Sequence, residues 1–284
     1  MKKRVVAGIL GTILALGTLA GCGANGNVSG GDNGKDEKGA DTKTIKVAAS
    51  STPHGEILEE AKKVLEEDGY KLSIKVFSDY VQPNLVVESG EYDANFFQHG
   101  PYLDNFNAER GTDLVSAGKI HYEPLGIYGG EKSSLEEIDD GDTIAVPNDA
   151  TNEARALLLL EENGILKLKE EAGINATIND IEEYIKKVEI KELEAAQIPR
   201  VTKEMSFVVL NGNYALEAGF SVSKDALAFE AAESEAAKTY ANVVAVKSGQ
   251  EDSEGIKKLI EVLQSDDIKS FIDEKYDGAV LPIN

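Results

Sequence analysis

Three short stretches of this chain carry side chains suited to holding a small charged molecule. The first is Asp93-Ala94-Asn95-Phe96-Phe97-Gln98-His99. Read as a strand, it places Asn95, Phe97 and His99 on one side, because successive side chains alternate faces. With Tyr102 just beyond and Tyr80 upstream, Phe97 and His99 would form a ring-lined recess with a polar rim. Such a wall suits a flat or thioether-bearing group, since sulfur packs well against ring edges. Ordinary core packing accounts for the same phenylalanines, and a satisfied loop position for His99. The second stretch is Pro147-Asn148-Asp149-Ala150-Thr151-Asn152-Glu153-Ala154-Arg155. Asp149 or Thr151 can cap a helix there, Glu153 complements its positive end, and Asn152 and Arg155 share a face. An arginine beside a helix start can hold a carboxylate by two parallel hydrogen bonds; a surface salt bridge to one of many glutamates is the plainer alternative. The third is Leu210-Asn211-Gly212-Asn213-Tyr214, at the carboxyl end of an apolar run. Ligands of open α/β sheets bind at such ends, where Asn211 and Asn213 could orient an amino group through their carbonyl oxygens. A plain turn explains the same string. Asn242, at the start of another strand, has the same two readings.

Nothing in the chain points to catalysis. There is one cysteine, and no HExxH, P-loop or GxSxG string. The three histidines lack the spacing of a zinc site, so neither metal nor cofactor is expected, and His54 and His121 read as structural or solvent-facing.

The elements that must position these groups alternate between β-like runs and amphipathic helices, which indicates an α/β fold. Strands are expected at 45–49, 72–77, 92–98, 113–117, 125–128, 143–146, 187–193, 207–210 and 242–246. Helices are expected at 56–67, 83–89, 149–162, 194–201, 253–264 and 266–275. Extended segments near 120–128 and 235–242 divide this pattern into two α/β blocks, with the C-terminus returning to the first. The expected arrangement is a first lobe of 44–124 plus 240–284 and a second of 125–239, with a ligand cleft between them.

The chain begins with Lys2, Lys3 and Arg4, then an apolar run from Val5 to Leu19, then Leu19-Ala20-Gly21-Cys22. That order describes a secretory signal over residues 1–21, too short for a comfortable transmembrane span of roughly 20 apolar residues. The tetrapeptide resembles the bacterial lipobox, which implies cleavage before Cys22 and acylation of its sulfur. Residues 22–43 are mostly Gly, Asn, Asp, Ser and Lys, a composition that cannot offset its ordering entropy and reads as a flexible tether. The formal charge is −22 for the whole chain and −25 without residues 1–21. A surface this acidic argues against nucleic acid and against peripheral binding to anionic lipid, so membrane attachment would come from the lipid on Cys22.

The strings "SDYVQPNLVVESGEYDANFFQHGPYLDNF", "IAVPNDATNEARALLLL", "ELEAAQIPR" and "NGNYALEAG" resemble the methionine-binding lipoproteins of ABC importers, the NlpA lipoprotein family. The resemblance runs from about Ile45 to the final "EKYDGAVLP". It implies a two-lobed periplasmic-binding-protein fold, type II-like, that closes on an amino acid. It further implies that Tyr80, Phe97, His99 and Tyr102 hold the thioether side chain and that Arg155 pairs with the substrate carboxylate. Asn213 and Asn242, and with them Asn152 and Asn211, would bind the amino and carboxylate groups. The expected protein is a monomeric, lipid-anchored binding protein on the outer face of a bacterial cell membrane, not an enzyme. It would deliver methionine, D- or L-, to an ABC permease and its ATPase. Alternatives are a binding protein for a methionine-containing dipeptide or another amino acid, and a surface adhesin whose pocket is vestigial.

Overall fold

The structure, a computed structural model, describes residues 43–231 and 238–283. The signal-peptide and Cys22 readings fall outside that range, as does the tether except for Lys43, which opens the first strand. In that strand, β1 (Lys43–Ala49), Ile45, Val47 and Ala49 are buried in the first core. β1 pairs in parallel with β2 (Tyr70–Val76) and β3 (Ala94–His99). β4 (Leu114–Tyr122) follows in the chain, but it is separated from β3 in the sheet by a returning strand, β12 (Asn242–Lys247), antiparallel to both. A short β13 (Leu281–Pro282) closes the edge, giving the six-stranded order β13-β4-β12-β3-β1-β2.

A second sheet takes over after β4. Its strands are β5 (Gly126–Gly129), β6 (Thr143–Pro147), β9 (Glu189–Leu193), β10 (Phe207–Leu210) and β11 (Ala226–Phe229), in the order β11-β5-β10-β6-β9. β7 (Leu166–Leu168) and β8 (Ile181–Tyr184) form a separate hairpin. The chain thus leaves the first sheet between Tyr122 and Gly126 and starts back after Phe229. These two crossings matter later, because each carries a buried glutamate, Glu123 and Glu230.

Each sheet has its own apolar core. On the first, α1 (Glu56–Glu67) buries Ile57, Leu58, Ala61 and Leu65, has Glu56 and Glu59 in its positive first turn, and is followed by Gly69 at φ +81°. α8 (Glu254–Leu263) and α9 (Asp266–Tyr276) join the same core through Ile256, Leu259, Ile268 and Ile272, so the C-terminal helices do belong with the first sheet. On the second, α4 (Ala150–Glu162) buries Leu157, Leu159 and Leu160 against Ile144, Val146 and Phe207. Short helices α5 (Ile198–Val201), α6 (Gly212–Glu217) and α7 (Val222–Asp225) flank β10 and β11. α2 (Gln82–Glu88) and α3 (Gly100–Arg110) sit on either side of β3 in the chain. Among the described residues, no helix is long and apolar enough to cross a membrane.

β3 departs from simple alternation. Its pairing with β12 runs Asn95↔Ala245 and Phe96↔Val244, then Gln98↔Val243 and His99↔Asn242, so Phe97 has no partner and forms a bulge. One extra residue inverts the facing of everything after it. Asn95 therefore does not share a side with Phe97 and His99, as strict alternation would require. It joins Gln98 instead. Asn95 Nδ2 donates to Asn84 Oδ1 (2.8 Å), Gln98 Nε2 donates to Asn84 Oδ1 (2.6 Å) and to Asn95 Oδ1 (2.9 Å), and Asn84 Nδ2 donates to Gln98 Oε1 (2.9 Å). This closed set of buried amides docks α2 on the sheet. Asn84→Ala strands the amides of Asn95 and Gln98, which should cost about 2 kcal/mol, roughly a 4–8 °C drop in Tm for a domain of this size. A thermal melt of the variant within 1 °C of wild type would show that these bonds contribute nothing net.

Candidate functional site

Six strand or helix boundaries converge on one cavity. It is lined by Tyr80, Phe97, Gln98, His99, Tyr102, Glu123, Asn152, Arg155, Asn211, Gly212, Asn213 and Asn242. All nine side chains expected from the sequence to hold the ligand reach this wall. Asn95 alone of the first stretch's proposed face does not, for the reason just given. Gln98, Glu123 and Gly212 are additional.

The aromatic part is built around Tyr80. Asp79 Oδ1 accepts the N–H groups of Val81 and Gln82, both at 2.8 Å, which fixes the turn that carries Tyr80. The Tyr80 ring lies 5.7 Å from Phe97, 5.6 Å from Tyr102 and 4.9 Å from Tyr214, centre to centre. Its hydroxyl donates to Asn213 Oδ1 (2.5 Å), so one residue touches wall elements from both sheets.

His99 both ends β3 and caps α3. Its Nδ1 accepts the Tyr102 N–H at 3.1 Å, which leaves the ring proton on Nε2, donating to Asn152 Oδ1 at 3.1 Å. Asn211 Nδ2 donates to the same oxygen (2.8 Å), while Asn152 Nδ2 donates to both oxygens of Asp149. The Asn152 amide is fully engaged and serves to align His99 and Asn211. Asp149 is the helix cap, accepting the Asn152 backbone N–H (3.1 Å).

Arg155 is buried and already gripped. Its Nε and Nη2 donate to the two oxygens of Glu230 at 2.7 and 2.5 Å, and Nη2 also donates to the Glu123 carbonyl at 2.8 Å. Glu230 further accepts the Tyr122 hydroxyl (2.6 Å) and the Leu125 N–H (2.9 Å). Tyr240 stacks 4.4 Å from the guanidinium. Burial pushes the Glu230 carboxyl up, but Arg155 more than offsets it and holds it below its ordinary value; the pair raises Arg155 in return. The two parallel bonds expected for a substrate carboxylate are therefore made to Glu230, which is neither exposed nor near in sequence. Nη1 enters none of these bonds.

His54 and His121 are not solvent-facing: they are 1 % and 0 % exposed and flank Glu123. Nε2 of His121 lies 2.7 Å and Nε2 of His54 lies 3.3 Å from Glu123 Oε1. His54 also contacts Asn242 Oδ1 through Nε2 (3.0 Å) and Ser50 Oγ through Nδ1 (2.7 Å). Both rings are neutral; the His121 Nε2 proton is donated to Glu123, and the His54 Nε2 proton goes to Asn242 Oδ1, with Glu123 beside it. Burial takes His54 down to about 4, partly countered by Glu123, and takes His121 down to about 3. Burial raises the Glu123 carboxyl, against the pull of His54, Arg155 and the Asn213 N–H. His54, His121 and Glu123 are also the one metal-sized donor cluster among the described residues, their donor atoms lying within 4.8 Å of one another. Hydrogen bonding accounts for those contacts, and His121 Nδ1 has no outer partner of the kind that orients a metal-bound imidazole.

Two cavity-wall amide atoms have no partner: Asn211 Oδ1, an acceptor, and Asn213 Nδ2, a donor. Asn213 thus presents its nitrogen rather than the carbonyl oxygen expected from sequence, because Tyr80 occupies that oxygen. Gly212 lets the turn approach Glu123 closely, since a Cβ there would sit 2.7 Å from the Glu123 Cβ.

Two sheets with separate cores, linked by a chain that crosses twice and framing a polar, ring-walled cavity at strand ends, define a two-lobed periplasmic-binding fold. The NlpA lipoprotein family profile matches residues 45–284, and the chain belongs to that family, which is one of substrate-binding proteins rather than enzymes. The methionine-binding lipoprotein MetQ of Bacillus subtilis (strain 168) is 41 % identical over 289 residues, covering 100 % of both chains. A crystal structure of a lipoprotein from Ruminococcus gnavus ATCC 29149 superposes with a TM-score of 0.85 at 66 % identity, covering 85 % of this chain and 100 % of the other. A nutrient-binding protein from Burkholderia cenocepacia, solved bound to methionine, gives a TM-score of 0.80 at 43 % identity, covering 84 % and 100 %.

The neutral histidines make stability depend on pH. His54, His99 and His121 are held by burial at about 4, 3 and 3, with Arg155 also lowering His99. Unfolded, they titrate near 6.5. Between those limits the unfolded chain binds protons that the fold refuses, so stability rises with pH across the window. The raised Glu123 carboxyl opposes this, while loss of the Glu230 charge reinforces it at the acid end. Tm should therefore fall steadily as pH is lowered from 6.5 to 4; a flat profile would mean the rings are charged in the fold.

Proposed function

We propose that this chain is an extracytoplasmic substrate-binding protein that captures methionine and hands it to an ABC importer. On this reading Cys22 carries the lipid anchor after removal of residues 1–21, and the monomeric protein sits on the outer face of the cell membrane. Its first lobe is 44–124 plus 240–284 and its second 125–239. The observation that carries the reading is that one cavity combines a wall of Tyr80, Phe97 and Tyr102 with a buried, pre-oriented Arg155. The rings accommodate a thioether and the guanidinium edge a carboxylate. Asn211, Asn213 and Asn242 supply neutral polar contacts, His99 borders the thioether wall, and Asn152 holds His99 and Asn211 in place. A zwitterion taken out of water needs both charges met, because an unpaired buried ion costs several kcal/mol. Its methionine-binding and methionine-bound relatives support the ligand, and relatives that are ABC-transporter substrate-binding proteins support the partner.

Calorimetry with D- and L-methionine tests this directly, and absence of heat with both would overturn it. Phe97→Ala should weaken methionine at least tenfold while lowering Tm only slightly; equal losses would make Phe97 a core residue. Arg155→Ala is a poor probe alone, because it leaves Glu230 buried and unpaired at a cost of about 3–5 kcal/mol. Arg155→Lys keeps a cation beside Glu230 but loses the fork, so it should retain most of the fold and lose methionine affinity by about tenfold or more. Unchanged affinity in the lysine variant would remove Arg155 from the ligand contacts.

A further inference from the structure

We propose that Glu123 receives the ligand's α-ammonium group, and that this ammonium, more than the carboxylate, is the charge the cavity is built to require. The inference rests on the amino-acid-binding reading and specifies its substrate class as one with a free primary ammonium. Of the side chains lining the cavity, two carry formal charge, Arg155 and Glu123, and their situations differ. Arg155 is balanced by Glu230, which takes both arms of its fork. Glu123 has no such counter-ion. Its carboxylate sits among two imidazoles held neutral by burial and the Asn213 N–H, while Arg155 acts on it only through space, because the arginine N–H goes to the carbonyl. Those groups offer dipoles, and the buried carboxylate still lacks a cation.

Geometry places the missing cation beside the ligand's other end. The Glu123 carbonyl accepts from Arg155 Nη2 (2.8 Å) while the carboxylate of the same residue faces His54 and His121. The acid and the base are thus joined through one residue, a spacing that suits charges on adjacent groups of a single α-amino acid. The unpartnered Asn211 Oδ1 is a second acceptor for an ammonium N–H, and Asn213 Nδ2 a neutral donor for a carboxylate. A carboxylate entering here meets an arginine already paired, whereas an ammonium meets an anion that is not.

Two analogues of methionine remove one charge each without adding bulk: methylthiopropylamine lacks the carboxylate, and methylthiobutanoate lacks the ammonium. Calorimetry on the wild-type protein should find the amine at least tenfold tighter than the acid. In Glu123→Gln, which keeps the size of the side chain and an oxygen toward His121, methionine should weaken at least tenfold and the preference for the amine should disappear or reverse. That reversal is a readout that mere loss of folding would not give. If wild type binds methionine but prefers the acid, or if Glu123→Gln leaves the amine preference intact, the inference falls and the methionine reading stands. If wild type binds no methionine, both fall.

Discussion

The ion pair between Arg155 and Glu230 ties the site to the frame. Arg155 comes from the second turn of the helix after β6, Glu230 from the point where the chain leaves the second sheet, and the Glu123 carbonyl from the opposite crossing. Tyr122 and Leu125, on the first crossing, also bond to Glu230. One carboxylate thus joins both crossings and the helix that faces the cavity. Buried pairs of this kind rarely add much net stability, but removing one member is costly. The consequence here is geometric: with Nε and Nη2 committed, the guanidinium plane is fixed and only Nη1 stays outside these bonds.

Around that pair the fold sorts its polar groups by layer. Two amides on the cavity wall, those of Asn211 and Asn213, keep an atom unpaired, whereas both ends of the Asn84, Asn95, Gln98 and Asn152 amides have partners, Gln98 and Asn152 on the same wall included. Buried polar atoms without partners are uncommon in folded proteins, and here two of them line the same wall as the two charges. The contrast separates side chains that position from side chains available to bind.

Much of this was legible beforehand, and the losses have physical causes. Strands such as 143–146 and 207–210 were readable because they are short, apolar and bounded by turns, and the capped start of α4 because Asp149 precedes an apolar helical face. α3 went unread: its Gly100-Pro101 start looks like a loop, and Tyr102, Leu103 and Phe106 are spread thinly among polar residues. The hairpin strands at 166–168 and 181–184 are only three and four residues long, too short for a period to show, and α6 was hidden inside a string that reads as a turn. Glu123 and Glu230 could not be picked out because nothing local distinguishes them among 51 acidic residues. Their roles come from partners up to 108 residues away in sequence. The burial of His54 and His121 likewise depends on contacts that only the assembled sheet provides.

The unpaired Phe97 in β3 has an evolutionary corollary. Six consecutive residues serve two unrelated tasks, with amides at 95 and 98 docking a helix and rings at 97 and 99 facing the cavity, and the one-residue offset keeps the two sets apart. Substitutions at 97 can therefore reshape the cavity wall without touching the amides that dock the helix, whereas 99 also caps α3. A single insertion or deletion within the same segment would exchange the two sets and damage both at once. Lineages should drift here by replacement and seldom by length.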